Sequence, residues 1–520
     1  MHAKAALPPD DRASQSRAPR VAGRYSALAA ALLGWMFDGA EMGVFSLVGR
    51  SALQDLLPAA REDETGLWFG IIMAGFLVGA ATGGVLFGWL GDRIGRVKAM
   101  TLSVLTYAVL TACCGFATSA WQLGVLRCLA ALGMGGEWSL GVALVMEVWP
   151  NRSRSFMAGL IGAAGNLGYL LVGVIGLGLS AILLDLGIWL TNLGLPAHTV
   201  EVLLRHQGWR LLMILGVTPA LLTFLIRLFV PESERWLHEK KTGSTSFWAT
   251  RDLLGVLVGA LGPALIIYLW AWPHSPVVRI GGTLLGLLVA TAGYTYPVAQ
   301  FLAREHASQP GRPGTSAATL RRMLLAAALS GVALLGTWGS AQWAPSWADR
   351  LTGGNPAIGA KYYTQIYLAG GAVLGTIVAA LMGGWFGRRI TYVVLCVLSC
   401  ASLLVLYQGN REYGTQFLVC AFIVGACSAS FYGWLPLYLP ELFATRVRAT
   451  GQGFAFNFGR ILAAVGTLQT GTLYTQNLSI GGTTFEGGYP LACSLMSAVY
   501  VLGLGLILFA PETRGLPLPD

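Results

Sequence analysis

The chain reads as an all-α polytopic membrane protein, two pseudo-symmetric six-helix bundles with two extra helices between them. Two observations lead there. Of its 520 residues, 55% are hydrophobic and only 11% are charged, whereas a soluble protein carries about 25% charged residues. Three short elements of the first half also recur in the second at nearly constant offset, the signature of a duplicated unit.

Apolar runs of roughly 20 residues, enough to cross the hydrocarbon core, give the elements in order. The first bundle has them near 26–48, 67–90, 98–117, 121–146, 156–184 and 209–230. Two more lie near 252–272 and 279–302, and the second bundle follows at 322–346, 363–386, 390–408, 413–439, 449–475 and 489–510. The sum is about fourteen transmembrane helices, each satisfying its own backbone polar groups inside lipid. The division expected is a tail over 1–24, a six-helix bundle over 25–235, a linker with the extra helices over 236–320, a second bundle over 321–512 and a tail over 513–520. The first tail is polar and holds Arg12, Arg17, Arg20 and Arg24 without a cleavage site. It reads as a retained segment, with the first helix as the insertion signal.

A formal charge of +10 would point to nucleic acid in a soluble protein, but in a membrane protein the placement of the bases outweighs the sum. With the N-terminus inside, most Lys and Arg fall in cytoplasmic segments. Both termini are therefore expected in the cytoplasm, in a plasma membrane of the bacterial inner-membrane type, with no nucleic-acid partner.

The recurring elements are Glu147-V-W-Pro150-N-R-S-Arg154 against Glu441-L-F-Ala444-T-R-V-Arg448, Gly95-Arg96 against Gly387-Arg388, and Pro231-Glu232-Ser233 against Pro511-Glu512-Thr513. Each falls at a helix end that the charge bias assigns to the cytoplasm. The stretch from Gly88 to Lys98, G-W-L-G-D-R-I-G-R-V-K, joins the second and third runs. Its glycines allow a tight reversal and close helix approach, and its charges can pair with neighbouring helices. In the second copy Gly384 stands where Asp92 stands in the first, so a charge network on this face is expected to be stronger in the first half.

The pattern G-x-x-x-D-x-x-G-R, with Asp92, Arg93, Gly95 and Arg96 in register, resembles the loop between helices 2 and 3 of the major facilitator superfamily. The Glu147 and Glu441 elements and the stretch after Pro231 are similar to those of sugar-porter-like transporters. The run from Arg127 through Gly135 and Gly136 to Glu137, with Asp38 and Glu41 in the first helix, resembles the sialate and lactate branch of proton-coupled symporters, whose sialic acid members also carry two extra central helices. The resemblance implies a major facilitator fold and alternating-access symport of a small organic anion, such as a sialic acid or lactate, with protons. Neighbouring branches move phosphate, sugars, aromatic acids and dicarboxylates on similar motifs. A proton-coupled sugar or phosphate porter is the alternative, and a non-transporting nutrient sensor a distant one.

A charge at the bilayer centre costs roughly 2.5 to 3.5 kcal/mol even on the lenient insertion scale, so each one calls for a role. Asp38 lies near mid-depth of the first helix and Glu41 follows at i+3 on the same face; two carboxylates that close disfavour joint ionisation, which makes a proton site. Glu137 is a further candidate proton carrier. Arg460, beside Asn457 near mid-depth of its run, offers a substrate carboxylate a fork of donors that cannot lose its proton. Arg127 is a second such guanidinium, and a permanent bridge from Arg460 to Asp38 is the structural alternative. Gln342, Trp343, Asn166, Tyr169 and Tyr432 could hydrogen-bond to or stack on a small polar ligand. Asp92, Arg93, Arg96, Glu147, Arg154, Glu441 and Arg448 belong to loops and helix ends. They are expected to form a cytoplasmic ion-pair latch that sets the conformational equilibrium without touching substrate.

The eight cysteines lie in or at the ends of apolar runs with no C-x-x-C pair, and read as packing residues. No Ser/His/Asp set, metal cluster or phosphate-cradling loop stands out, and the histidines are scattered, as at His198, His206 and His274. Neither an enzyme nor a metal or cofactor site is expected. Protons are the coupling ion, the bilayer and a small organic anion are the partners, and a monomer is expected.

Overall fold

A computed structural model describes residues 21–222, 226, 229–308, 316–355, 358–475, 478–480, 483–485 and 488–519. The tail with Arg12, Arg17 and Arg20, and positions 309–315 of the linker, lie outside the described residues.

The first half consists of α1 (Val21–Leu56), α2 (Thr65–Ile94), α3 (Arg96–Cys114), α4 (Ala120–Val148), α5 (Arg154–Asn192) and α6 (Ala197–Leu215). A short helix, α7 (Glu234–Lys241), leads to the helical hairpin of α8 (Leu253–Ala271) and α9 (Pro276–Ser308). The second half holds α10 (Ser316–Gly339), α11 (Ala344–Leu351), α12 (Ala360–Phe386), α13 (Arg388–Gly409), α14 (Thr415–Ser428), α15 (Phe431–Tyr438), α16 (Arg448–Thr475), α17 (Tyr489–Ser497) and α18 (Val499–Leu506). Between α16 and α17, Leu478–Ile480 and Thr483–Phe485 pair as a small antiparallel ribbon.

Three of the runs read as single helices are broken. The run near 322–346 ends as α10 at Gly339 and resumes as α11, whose first turn contains Pro345. The runs near 413–439 and 489–510 likewise divide, into α14 and α15 and into α17 and α18. Apolar periodicity records burial along a run and is blind to such local breaks.

Among the described residues twelve helices are long and apolar enough to cross a membrane, α8 and α9 included, and the runs expected at 209–230 and 449–475 are not among them. The described helix that leads into the first, α6, is interrupted: Arg205–Gly208 leave helical geometry, with His206 and Gln207 at φ 50° and 65°. The second, α16, carries Arg448, Gln452, Asn457 and Arg460, all buried. Its polarity is tolerated because other helices, rather than lipid, surround it.

The halves meet along two close-packed seams. α2 crosses α16 where a Cβ on Gly453 would overlap the carbonyl of Gly84, and α5 crosses α12 where a Cβ on Gly159 would stand 2.9 Å from Ile377 Cα. Within a membrane such small residues let backbones approach and gain van der Waals contact. The reversals into α3 and α13 are made at Gly95 and Gly387, at φ 112° and 96°, a region open to glycine and strained for other residues.

Candidate functional site

The end of the bundle that carries Arg96, Glu147, Arg388 and Glu441 is the charged face. Arg96 is fully buried there. It donates from Nη1 to Asp92 Oδ1 at 2.7 Å and Gly91 O at 2.8 Å, and from Nη2 to Glu147 Oε1 at 3.2 Å and Thr445 O at 2.8 Å. Glu147 Oε1 also accepts from Arg448 Nη1 of the second half at 2.9 Å, and its other oxygen accepts from the Ser233 hydroxyl. Asp92 Oδ2 accepts the Thr450 amide at 2.8 Å and its hydroxyl at 2.6 Å. A carboxylate thus sits on the first turn of α16, where free amides and the helix dipole favour it.

The second copy is built alike but remains within its own half. Arg388 grips Glu441 with two donors at 2.6 and 3.0 Å, and the Thr513 hydroxyl donates to Glu441 at 2.6 Å. Arg154, the repeat counterpart of Arg448, lies within electrostatic reach of Glu441 but bonds Asn151 instead. Gly384 offers α5 no carboxylate. Asp92, Arg96, Glu147 and Arg448 therefore form the network that crosses the halves, whereas Arg93 faces the linker, bonding Thr250 Oγ1 at 2.6 Å.

The Pro-Glu-Ser and Pro-Glu-Thr repeat supplies a pair of helix caps whose role is not visible in the residues alone. Glu232 accepts the amides of Arg96 and Val97 at 2.9 and 3.2 Å, and Glu512 those of Arg388 and Arg389 at 3.0 and 3.1 Å. Each caps the helix that follows its Gly-Arg turn. Burial pushes the Glu232 carboxyl above the usual glutamate value despite these amides. At Glu512 burial acts in the same direction, but the amides of Arg388, Arg389 and Arg514 outweigh it and hold the carboxyl below that value.

At mid-depth Asp38 is fully buried, with the Glu137 carboxyl beside it and Arg460 in electrostatic reach. Glu137, with Asp38 and Tyr107 as its polar neighbours, rests against α1 at Gly34, where a Cβ would overlap Oε1. Arg460 is buried, with Nε and Nη1 unpartnered and its guanidinium carbon 5.4 Å from the Phe456 ring centre. Phe456 stacks on Trp138 at 3.8 Å, with Trp35 and Tyr432 at 6.2 and 6.3 Å. Trp35, Trp138 and Phe456 were not singled out in the sequence, although each is within four residues of a charge that was.

The expected pairing of Asp38 with Glu41 is not what the structure shows. Positions three apart on a helix diverge by roughly 60° around its axis, and the longer Glu41 pairs with Arg127 and accepts from Thr111 Oγ1 at 2.8 Å. Arg127, between the rings of Phe45 and Phe76 at 4.9 and 4.6 Å, thus has its acid. No direct ion pair joins Arg460 to Asp38 among the described residues. Asn457 donates across the seam to Gly135 O at 3.0 Å, leaving its own oxygen open.

Tyr169 donates to Gln342 Oε1 at 2.6 Å and accepts from Gln365 at its carbonyl at 2.9 Å, tying the halves together nearer the opposite face. Trp343 turns to Trp338 O and Tyr489, and Asn166 uses its amide on Gly162 O of its own helix. A cavity of about 630 Å³ lies between α1, α5, α6 and the loop before α12, with Glu41, Gln207, Asp349 and Lys361 among its polar lining. Beside Glu137 and Trp138 only about 10 Å³ is open. Arg460 itself is only 2% exposed, and the Glu147–Arg448 network ties the halves together at the charged face.

The family profile described as "Sugar (and other) transporter" matches residues 26–251 and 274–515, passing over α8. The chain is similar to the cis,cis-muconate transport protein of Acinetobacter baylyi, 26% identical over 474 residues, 91% of this chain and 92% of the relative. It is similar also to the gallate transporter of Pseudomonas putida, 25% identical over 451 residues, 86% of this chain and 84% of the relative. Among solved structures, the proton:xylose symporter XylE shares the fold with a TM-score of 0.68 at 17% identity, over 95% of this chain and 98% of its own.

Proposed function

The chain belongs to the sugar (and other) transporter family of the major facilitator superfamily, and on that premise we propose a proton-coupled symporter of small, planar organic anions working by alternating access. The observation that carries this is Arg460, a buried guanidinium with unpartnered donors facing an aromatic wall. Buried guanidinium donors left without a hydrogen-bond partner suit an anionic acceptor, and the Trp138–Phe456 stack suits a flat conjugated or aromatic acid. The named activities of the muconate and gallate relatives support that class over a sialic acid or lactate.

Two buried carboxyls, Asp38 and Glu137, face one guanidinium. The set is neutral only when one carboxyl carries a proton, so loading a proton and loading an anion are linked through the same few atoms. Arg127 is paired through Nη1 with Glu41, with its Nε and Nη2 unpartnered, and we assign the pair a structural role in this state because Arg127 already has its acid. The charged face is the cytoplasmic side in this reading, α8 and α9 are two additional membrane spans, and release requires the Glu147–Arg448 network to open.

Uptake into proteoliposomes with an inward proton gradient tests the proposal, using muconate, gallate, lactate, a sialic acid and xylose as substrates. Gradient-driven accumulation of the planar acids is expected. Accumulation of xylose alone would place the chain with the sugar porters, and uptake indifferent to the gradient would remove proton coupling.

A further inference from the structure

We infer that the α8–α9 hairpin is a strap that bridges the two halves and holds the charged face closed. The hairpin is stiff: a Cβ on Gly262 would overlap Gly286 O, and one on Gly293 would overlap Gly255 O. At its base Trp248 stacks on Phe301 at 4.4 Å, and Arg304 pairs with Asp252. Such a body moves as one piece.

It is anchored on both sides of one seam. On the first half the buried Tyr294 hydroxyl of α9 lies 2.7 Å from Thr82 Oγ1 of α2, and Arg93 at the end of α2 reaches Thr250 just before α8. On the second half Glu305, near the end of α9, pairs at 2.9 Å with Arg446, two residues before Arg448 of the latch. α8 also touches both α2 and α16. These are the helices that must part for the charged face to open, so opening has to break one anchor. Tyr294 and Thr82 meet within the helix contact, whereas Arg446 and Glu305, 12% and 5% exposed, lie near the end of α9, where water admitted on opening can take up both charges. The ion pair is the anchor that yields, and while intact it biases the equilibrium toward closure.

The inference rests on the alternating-access reading, but its test does not need transport. Spin labels on unnatural residues at the exposed positions Lys98 and Ile390, one in each half, report opening of the charged face as a longer distance. Glu305→Gln and Arg446→Met are each expected to raise the open fraction roughly fivefold, the low end of typical coupling between two states. The exchanged pair, Glu305→Arg with Arg446→Glu, is expected to restore the parent distribution. Unchanged distances in both single variants, or no restoration in the exchanged pair, would overturn the strap. Should a single variant not be recovered folded, Glu305→Asp, one methylene shorter, weakens the same ion pair; a longer distance supports the inference and an unchanged one overturns it. Loss of proton coupling with the distance shift intact counts against the proposed symport and leaves the strap standing.

Discussion

Glu147 of α4 and Arg448 of α16 meet across the two halves at 2.9 Å with both side chains buried. The repeat-related acid, Glu441, spends itself on Arg388 of its own half. The first half therefore holds the second through its own acids, Glu147 on Arg448 and Asp92 on Thr450, and the symmetry of the motifs does not extend to their contacts.

Glu147→Gln should open the charged face far more than Glu441→Gln. Breaking a buried pair by removing one partner costs about 3–5 kcal/mol, and only at Glu147 is that loss charged to the closed state. Labelling of Ser139→Cys, buried in the α4–α16 contact, by a membrane-impermeant thiol reagent checks this; equal rates in the two variants would sink it.

Arg460→Ala should abolish binding of planar acids, and Arg460→Lys should recover it poorly, since an ammonium lacks the planar fork. Asp38→Asn should end gradient-driven accumulation while leaving acid-for-acid exchange. Thermal-shift titration and counterflow separate the two losses, and normal accumulation by Asp38→Asn would exclude Asp38 from coupling.

Gly34→Ala should disable transport through Glu137 rather than through α1 itself. The added methyl lands on the Glu137 carboxylate, which must leave its place beside Asp38. Shortening the acid by one methylene in Gly34→Ala/Glu137→Asp should recover part of the activity; a double variant no better than the single would refute the steric account.

Glu512→Gln should lower thermal stability at neutral pH, and the gap to the parent should close in acid. The native carboxyl lies below the ordinary value, so its contribution is fully present above the unfolded value of about 4.3 and fades as pH falls through the folded one. Glu232, raised by burial, should show the opposite curvature, its ionised form costing stability that returns as pH falls. Melting curves of both variants, taken from pH 7 down to about pH 2 so as to pass below the depressed value, decide it.

The sequence by itself determined the membrane class, the duplicated halves and the chemistry of the charged face, because apolar run length and repeated motifs are local properties written in consecutive residues. The asymmetry at Asp92 and Gly384 was legible for the same reason, and the cross-half bond to Thr450 follows it. Tertiary structure alone decided which acid meets which base. Glu41 rather than Asp38 takes Arg127, and Asp38 faces Glu137 and Arg460, since helix rotation and the space left by Gly34 are set by packing between segments a hundred residues apart. The contact of α9 with the second half was equally hidden: Glu305 and Arg446 are 141 positions apart, and only the fold lays them together across the seam.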